Sequence, residues 1–276
     1  MKKTFKNSVK LMLILLLAGH LEAHSQQLRL EISLSKQVYL KGESIWLDAT
    51  LTNISQDSVR SLCGLCIPCQ CQFSVQVTDK KGENLNYTGP RWDFVPGSGF
   101  LINPGESFYE CLDLTEYFGE LKSLEDHFFK QLKPGKYSVK SRYAMKGKSI
   151  YSNEIVFEIK SPSGSEEEAY NLLKKAWTLF FQKKRIEMRE NLREIVIQYP
   201  NSAYAEKAYK ELFLTVELIE KCPNSGYTEN ALVRLTDTLS LEQKHKSLHE
   251  VINKHPSTRS AKFAEKMLKK IEDQKQ

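Results

Sequence analysis

The chain has 276 residues, 41% of them hydrophobic and 27% charged, with 40 basic against 34 acidic side chains for a net charge of +6. Four of those lysines and one glutamate fall within the first 25 residues, so positions 26–276 carry 36 basic and 33 acidic groups, net +3. A balance so close to neutral excludes the strong basic field that phosphate-backbone binding depends on, and no nucleic-acid partner is expected.

Lys2, Lys3, Lys6 and Lys10 precede an apolar run from Leu11 to Ala18, and Ala23-His24-Ser25 sets small residues where a signal peptidase reads them. Residues 1–25 are therefore expected to form an export signal cleaved before Gln26. The run is too short for a permanent anchor and no later run is long enough for one, so no stable membrane span is expected after cleavage. No cysteine follows the apolar core to support a lipid-anchored form. The destination is periplasmic or extracellular, an oxidising compartment in which disulfides persist.

Residues 26–160 read as strands. Apolar residues recur at every second position in Leu28, Leu30, Ile32 and Leu34, and again in Ile45, Leu47, Ala49 and Leu51. The pattern returns at Phe73, Val75 and Val77, at Leu112 and Leu114, at Tyr137, Val139 and Tyr143, and at Ile155, Phe157 and Ile159. Turn signals such as Lys41-Gly42-Glu43, Asn103-Pro104-Gly105 and Lys133-Pro134-Gly135 separate them. About seven half-buried strands at this spacing suit an antiparallel two-sheet sandwich, in which each sheet buries one face against the other. The succession LRLEISLSKQVYLKGESIWLDATLTNIS, the turn Pro104-Gly105-Glu106, then LKPGKYSVKSRY and YSNEIVFEI resembles the immunoglobulin-like modules of exported bacterial proteins. That resemblance implies a binding, spacing or scaffolding role and brings no catalytic group with it.

Within this region Cys63, Cys66, Cys69 and Cys71 fall inside nine residues; Cys111 lies further along and Cys222 stands alone in the second half. Three readings compete. Disulfides among Cys63, Cys66, Cys69, Cys71 and Cys111 would staple a long loop, contributing about 2–4 kcal/mol each. A thiolate metal or cluster site on Cys63, Cys66, Cys69 and Cys71 lacks the distant second pair of a zinc ribbon. Redox chemistry at Cys63 and Cys66 lacks a thioredoxin-like strand-helix setting. Tyr87, Arg91, Trp92, Phe94 and Phe100 gather in a stretch rich in Gly and Pro, where they would stack on a ligand or cover the end of the sandwich. Asn53-Ile-Ser and Asn86-Tyr-Thr match glycosylation acceptors, incidental in a chain whose leader has a bacterial character.

At Lys160 the composition changes through Ser161-Pro162-Ser163-Gly164-Ser165, and residues 161–168 are expected to link two separately folded domains. From 169 to 276 the apolar spacing becomes three and four, as in Leu172, Ala176 and Leu179 or Ala205, Ala208 and Leu212, which marks amphipathic helices. The phrases IQYPNSAYAEKAYKEL, EKCPNSGYTENALVRL and NKHPSTRSAKFAEKML repeat a stop-and-restart signal at Pro200, Pro223 and Pro256. Proline cannot continue the helix it follows, and the hydroxyl behind it can cap the next. The 33-residue step from Pro223 to Pro256 is close to the tetratricopeptide period. With Ala176, Tyr199-Pro200, Ala205 and Ala208 in place, the segment resembles the degenerate tetratricopeptide helices of bacterial envelope proteins, including outer-membrane assembly lipoproteins. The resemblance implies stacked helix pairs with a concave surface for another protein or peptide.

Arg185, Arg189 and Arg193 recur every four residues along one helix face and are the candidate partner-binding residues; a solvated stripe is the competing reading. His245 and His249 share a helix face but lack the glutamate of a zincin motif. No Gly-x-Ser-x-Gly elbow, phosphate-binding glycine loop or matched carboxylate pair appears, so neither an enzyme nor a cofactor is expected. The chain reads as an immunoglobulin-like sandwich followed by a tetratricopeptide-like array, acting as a non-enzymatic binding or scaffold component of a bacterial envelope. The alternative is a periplasmic redox or metal-handling protein working through the Cys63–Cys71 cluster.

Overall fold

Stretches that alternate form strands and stretches spaced by three and four form helices, in that order along the chain. The computed structural model describes residues 27–62, 64–67, 72–89, 99–118, 132–145 and 147–273. The expected export leader lies outside these residues, as do Cys63, Cys69, Cys71, Arg91, Trp92 and Phe94. Among the described residues nine strands come first: β1 (Leu28–Leu34), β2 (Val38–Leu40), β3 (Trp46–Asn53), β4 (Val59–Ser61), β5 (Phe73–Asp79), β6 (Phe100–Ile102), β7 (Ser107–Asp113), β8 (Gly135–Met145) and β9 (Lys148–Lys160). Seven α-helices follow: α1 (Ser165–Phe181), α2 (Arg185–Gln198), α3 (Ala205–Leu212), α4 (Thr215–Lys221), α5 (Thr228–Thr236), α6 (Leu241–Lys254) and α7 (Arg259–Asp273). None among the described residues is long and apolar enough to cross a membrane.

The strands form a three-stranded sheet in the order β1-β3-β7, a four-stranded sheet in the order β2-β9-β8-β5, and the pair β4-β6. Strand β2 runs parallel to β9 and the other pairings are antiparallel. The two larger sheets share one core, in which Leu30, Ile32, Leu47 and Leu51 meet Phe73, Val139, Tyr143 and Phe157. Strands β2, β4 and β6 escape the alternation because three residues are too few to display a period of two.

A bulge in β9 shows how one residue changes the packing. Lys140 faces Glu154 while Arg142 faces Tyr151, so β9 carries an extra residue between those pairs. That residue reverses the inward face of the strand: Ile150 and Ser152 are buried before it, Phe157 and Ile159 after it. Asn153, in the bulge, accepts from the Ile32 N–H at 2.9 Å through Oδ1 and donates to the Ile32 carbonyl at 3.0 Å through Nδ2. The side chain thus extends the ladder of edge strand β1 and ties the two sheets together. Asn153→Ala leaves both groups of Ile32 without this partner and is expected to lower stability by about 1–2 kcal/mol, seen as a lower urea midpoint at unchanged slope. An unchanged midpoint would show that water replaces the amide without loss.

The three proline joints share one geometry. Tyr199, Cys222 and His255 end α2, α4 and α6 with φ/ψ of −127/48, −128/54 and −128/54 degrees, since a following proline disfavours the helical region. The N–H groups of Ser202, Ser225 and Thr258 then bond back to the carbonyls of those residues, and α3, α5 and α7 begin. The expected hydroxyl caps are uneven. Thr258 Oγ1 accepts from Ala261 N–H at 3.4 Å and Ser225 Oγ from Tyr227 N–H at 3.2 Å, whereas Ser202 Oγ is buried without a partner. Ala176, Ala205 and Ala208 are buried, as small residues between close helices should be. Glu166, Glu167 and Glu168 already belong to the first turn of α1, so the connection is 161–164 and not 161–168.

Superposing the joints on Pro200, Pro223 and Pro256 aligns Ala203 with Gly226 and Arg259, and Tyr204 with Tyr227 and Ser260. Four of these six residues reach into the β-rich part. The Tyr204 hydroxyl donates to the Lys41 carbonyl at 2.8 Å, and Lys207 one turn on donates to the Gly42 carbonyl at 2.9 Å. Tyr227 donates to Asp113 at 3.2 Å and meets Trp46 edge-on, with ring centroids 4.7 Å apart. A Cβ on Gly226 would lie 2.2 Å from the Trp46 ring, so only glycine allows that approach. Trp46, at the start of β3, belongs to the helical core. Strand gives way to helix where expected, yet a boundary at Lys160 leaves part of the helical core on the β side.

Candidate protein-interaction surface

Helices α3, α5 and α7 spend their N-terminal ends on the β-rich part, which leaves the α3–α4 corner to solvent. The turn there is tight. Phe213 closes α3 in the left-handed conformation, φ 61 and ψ 30 degrees, with its N–H on the Lys210 carbonyl, and α4 begins two residues later. Glycine or asparagine usually takes such a position, and an aromatic residue there costs about 1–3 kcal/mol. Phe213 is nonetheless 61% exposed, its ring covered by the Arg234 guanidinium 4.8 Å from the centroid. Beside it lies a cavity of about 200 Å³ between α3, α4 and α5, walled by Tyr209, Leu214, Leu218 and Ala231. Lys210 stands at its rim, 4.3 Å from the Tyr227 centroid and 3.5 Å from Glu211.

The arginines singled out in the sequence lie elsewhere. Arg185, Arg189 and Arg193 are on α2, where Arg185 and Arg193 are exposed and Arg189 is half-buried, and they do not line this cavity. Ile186 and Ile197 share the solvent side of that helix, 75% and 74% exposed. Sequence reasoning missed Phe213. The available signal was an aromatic residue directly after the amphipathic run of α3, at the position where a helix most often ends on glycine.

Cys66 is engaged in a disulfide. Cys111, expected among the disulfide candidates, is a free thiol: β7 turns it onto the helical core, away from the loop it would have stapled. Burial, with the Asp48 carboxylate beside it, raises its pKa well above the ordinary thiol value. Cys222 is also free, and burial pushes its thiol up to about 12. Both are therefore protonated and poorly nucleophilic at neutral pH. His245 and His249 have ring centroids 6.4 Å apart, and no group of three His, Cys, Asp or Glu placed to hold a metal occurs among the described residues. Tyr87 stacks on Tyr117 and Phe100 packs against Phe108, so both lean on the sheet core. Asn53 is buried and donates to the carbonyls of Asp57 and Ile102, a structural use of its amide.

A set of titratable groups is enclosed where helices meet sheet. Arg259, 5% exposed, holds Asp48 with two bonds, from Nε at 2.9 Å and Nη2 at 2.8 Å, and donates to the Asn224 carbonyl through Nη1. The Tyr109 hydroxyl donates to the same Asp48 at 2.6 Å. Asp113 accepts from the N–H groups of Ile45 and Thr115 and from the Tyr227 hydroxyl. Glu206 accepts from the Trp46 indole N–H at 3.2 Å; burial, with Asp113 nearby, raises its carboxyl to about 7. These groups are satisfied by one another and close the contact between the two parts of the chain.

No family model and no curated protein matches the chain. Among solved structures it is similar to the alkylpurine DNA glycosylase AlkC of Pseudomonas fluorescens bound to abasic-site DNA, at 12% identity over 49% of this chain and 31% of that one, TM-score 0.30. The CARDB domain of PF1109 from Pyrococcus furiosus, in complex with di-metal ions, matches at 10% identity over 49% and 94%, TM-score 0.27. The sporulation control protein Spo0M of Bacillus subtilis matches at 13% identity over 54% and 56%, TM-score 0.26. The chain spans less than a third of the glycosylase's length. Likeness at these scores carries no argument about what the chain does.

Proposed function

We propose that this is an exported, non-enzymatic binding or scaffold protein of a bacterial cell envelope, in which an immunoglobulin-like sandwich carries a tetratricopeptide-like array that engages an envelope protein or peptide. The observation that carries the reading is the α3–α4 corner, where Phe213 is 61% exposed beside a cavity walled by Leu214, Leu218 and Ala231. Helix pairs present such faces to partners when their remaining faces are consumed by packing. The sandwich reading is supported by two sheets that share one core, and the array reading by three proline joints of one geometry. The Cys66 disulfide favours the disulfide reading over a thiolate metal site, since a sulfur held in a disulfide is no thiolate ligand.

The test uses the full chain in cells. A photo-crosslinking phenylalanine analogue at position 213, or at 189, is expected to yield heavier adducts that the same analogue at Tyr151, an exposed site on β9, does not. Charge reversal of Arg185, Arg189 and Arg193 together should reduce the adduct at 213 several-fold with melting nearly unchanged if that stripe steers the partner. N-terminal sequencing of the exported protein should begin at Gln26. Adducts of equal yield at Tyr151, or no adducts from either helical position, would overturn the binding reading, and retention of residues 1–25 in the cytoplasm would overturn the localisation.

A further inference from the structure

We infer that the cavity between α3, α4 and α5 receives one apolar side chain of an acidic peptide segment, with a carboxylate of that segment held between Arg234 and Lys210; the inference rests on the binding role proposed above. Size sets the occupant. Small-molecule sites usually enclose about 300–1,000 Å³, whereas this cavity offers about 200 Å³, which suits a single inserted side chain. Its walls are apolar at Leu214, Leu218 and Ala231.

Charge sets the rest. Arg234 has no carboxylate within ion-pair distance among the described residues and rests on the face of Phe213. A guanidinium stacked on a ring keeps its N–H edge free to donate to a carboxylate. Lys210 likewise lies over an aromatic face, and the one acidic group at the rim, Glu211, is already paired with it. The rim is therefore cationic in excess, and a partner bearing carboxylates complements it while a basic one is repelled. Phe213 organises the site, because its strained backbone throws the ring outward under Arg234 and beside the cavity.

The test titrates the chain from Gln26 onward with two acetylated tetrapeptides, glutamate-glutamate-phenylalanine-glutamate and its counterpart with lysine for each glutamate, reading amide shifts of Leu214, Leu218 and Ala231. The acidic peptide is expected to shift these amides at millimolar concentration and to bind at least about tenfold more tightly than the lysine peptide. The same loss is expected in the double variant Lys210→Gln, Arg234→Gln. Phe213→Gly should bind more weakly while melting no lower than the wild type, which separates a binding role from a structural one. Equal binding of the two peptides, shifts that avoid α3–α5, or unchanged binding in Phe213→Gly would overturn the inference. So would a dimer in sedimentation with these amides covered, since the occupant would then be a second copy of the chain. Cellular adducts from position 213 without peptide binding would sink this occupant and leave the binding role standing; loss of both would sink both.

Discussion

Arg259→Ala is expected to lower the unfolding free energy by about 3–5 kcal/mol, a large share of the stability of an ordinary domain. The guanidinium is 5% exposed and the Asp48 side chain 16%, so removing the cation leaves an enclosed carboxylate held by neutral groups, the Tyr109 hydroxyl and the Cys111 thiol. It also strips the Asn224 and Trp46 carbonyls of their donors. Because Asp48 and Arg259 are 211 positions apart in the chain, the loss should appear in the sheet and the helices at once. A urea titration followed by both circular dichroism and tryptophan fluorescence should show coincident midpoints moving down together. Replacing both partners with leucine should recover most of the deficit, since two apolar side chains leave no charge enclosed. Two separate transitions, with only the helical one displaced, would mean that the halves fold independently, as a linker at 161–168 would suggest.

Glu206 gives the second large effect, and its sign runs against the usual behaviour of carboxylates. Its folded pKa stands near 7 against an ordinary 4.5, through burial first and the proximity of Asp113 second. A raised acid pKa means the folded state prefers the proton. The stability contributed is therefore complete below about pH 4.5 and is lost as pH rises toward 7, by about 2–3 kcal/mol at roughly 1.4 kcal/mol per unit. The groups facing this carboxyl are the Trp46 indole, Ser44, Asp113 and Ser225, with Lys207 on its own helix the nearby cation. Glu206→Gln should flatten the fall between pH 5 and pH 8 and exceed the wild type at the upper end. A variant with the same pH slope as the wild type would show that the carboxyl ionises without resistance.

The longer strands of the two larger sheets were legible because their apolar residues alternate, in β9 on either side of its bulge, and the helices because the proline joints repeat in sequence as well as in space. The seal between the two parts was not. Trp46 has the outward parity of β3, opposite Ile45 and Leu47, where it reads as a surface aromatic, and Tyr204 and Tyr227 satisfy the helix pattern, so none of them points to the other part of the chain. A cue lay in the superposed joints, where Tyr204 with Tyr227, and Gly226 with Arg259, occupy positions at the start of a helix that a self-contained helix pair has no reason to fill with polar-tipped side chains or glycine. Cys111 failed differently: its spacing within a cysteine-rich region suggested pairing, while the parity of β7 aimed it at the helices. The cavity beside Phe213 depends on a left-handed backbone at a residue type that does not announce it.

The seat of Trp46 also orders events in time. Its indole lies against Gly226 and Glu206, so a chain delivered from its N-terminus exposes this ring long after β3 has been released. Contacts this far apart carry a loop-closure cost that local helices and hairpins escape, and they form late. Arg259, which closes the same seat, emerges later still. A chain cut short before α7 would thus hold a finished sheet with an aromatic ring uncovered at its margin, the kind of marker by which proteases and chaperones tell an incomplete molecule from a complete one.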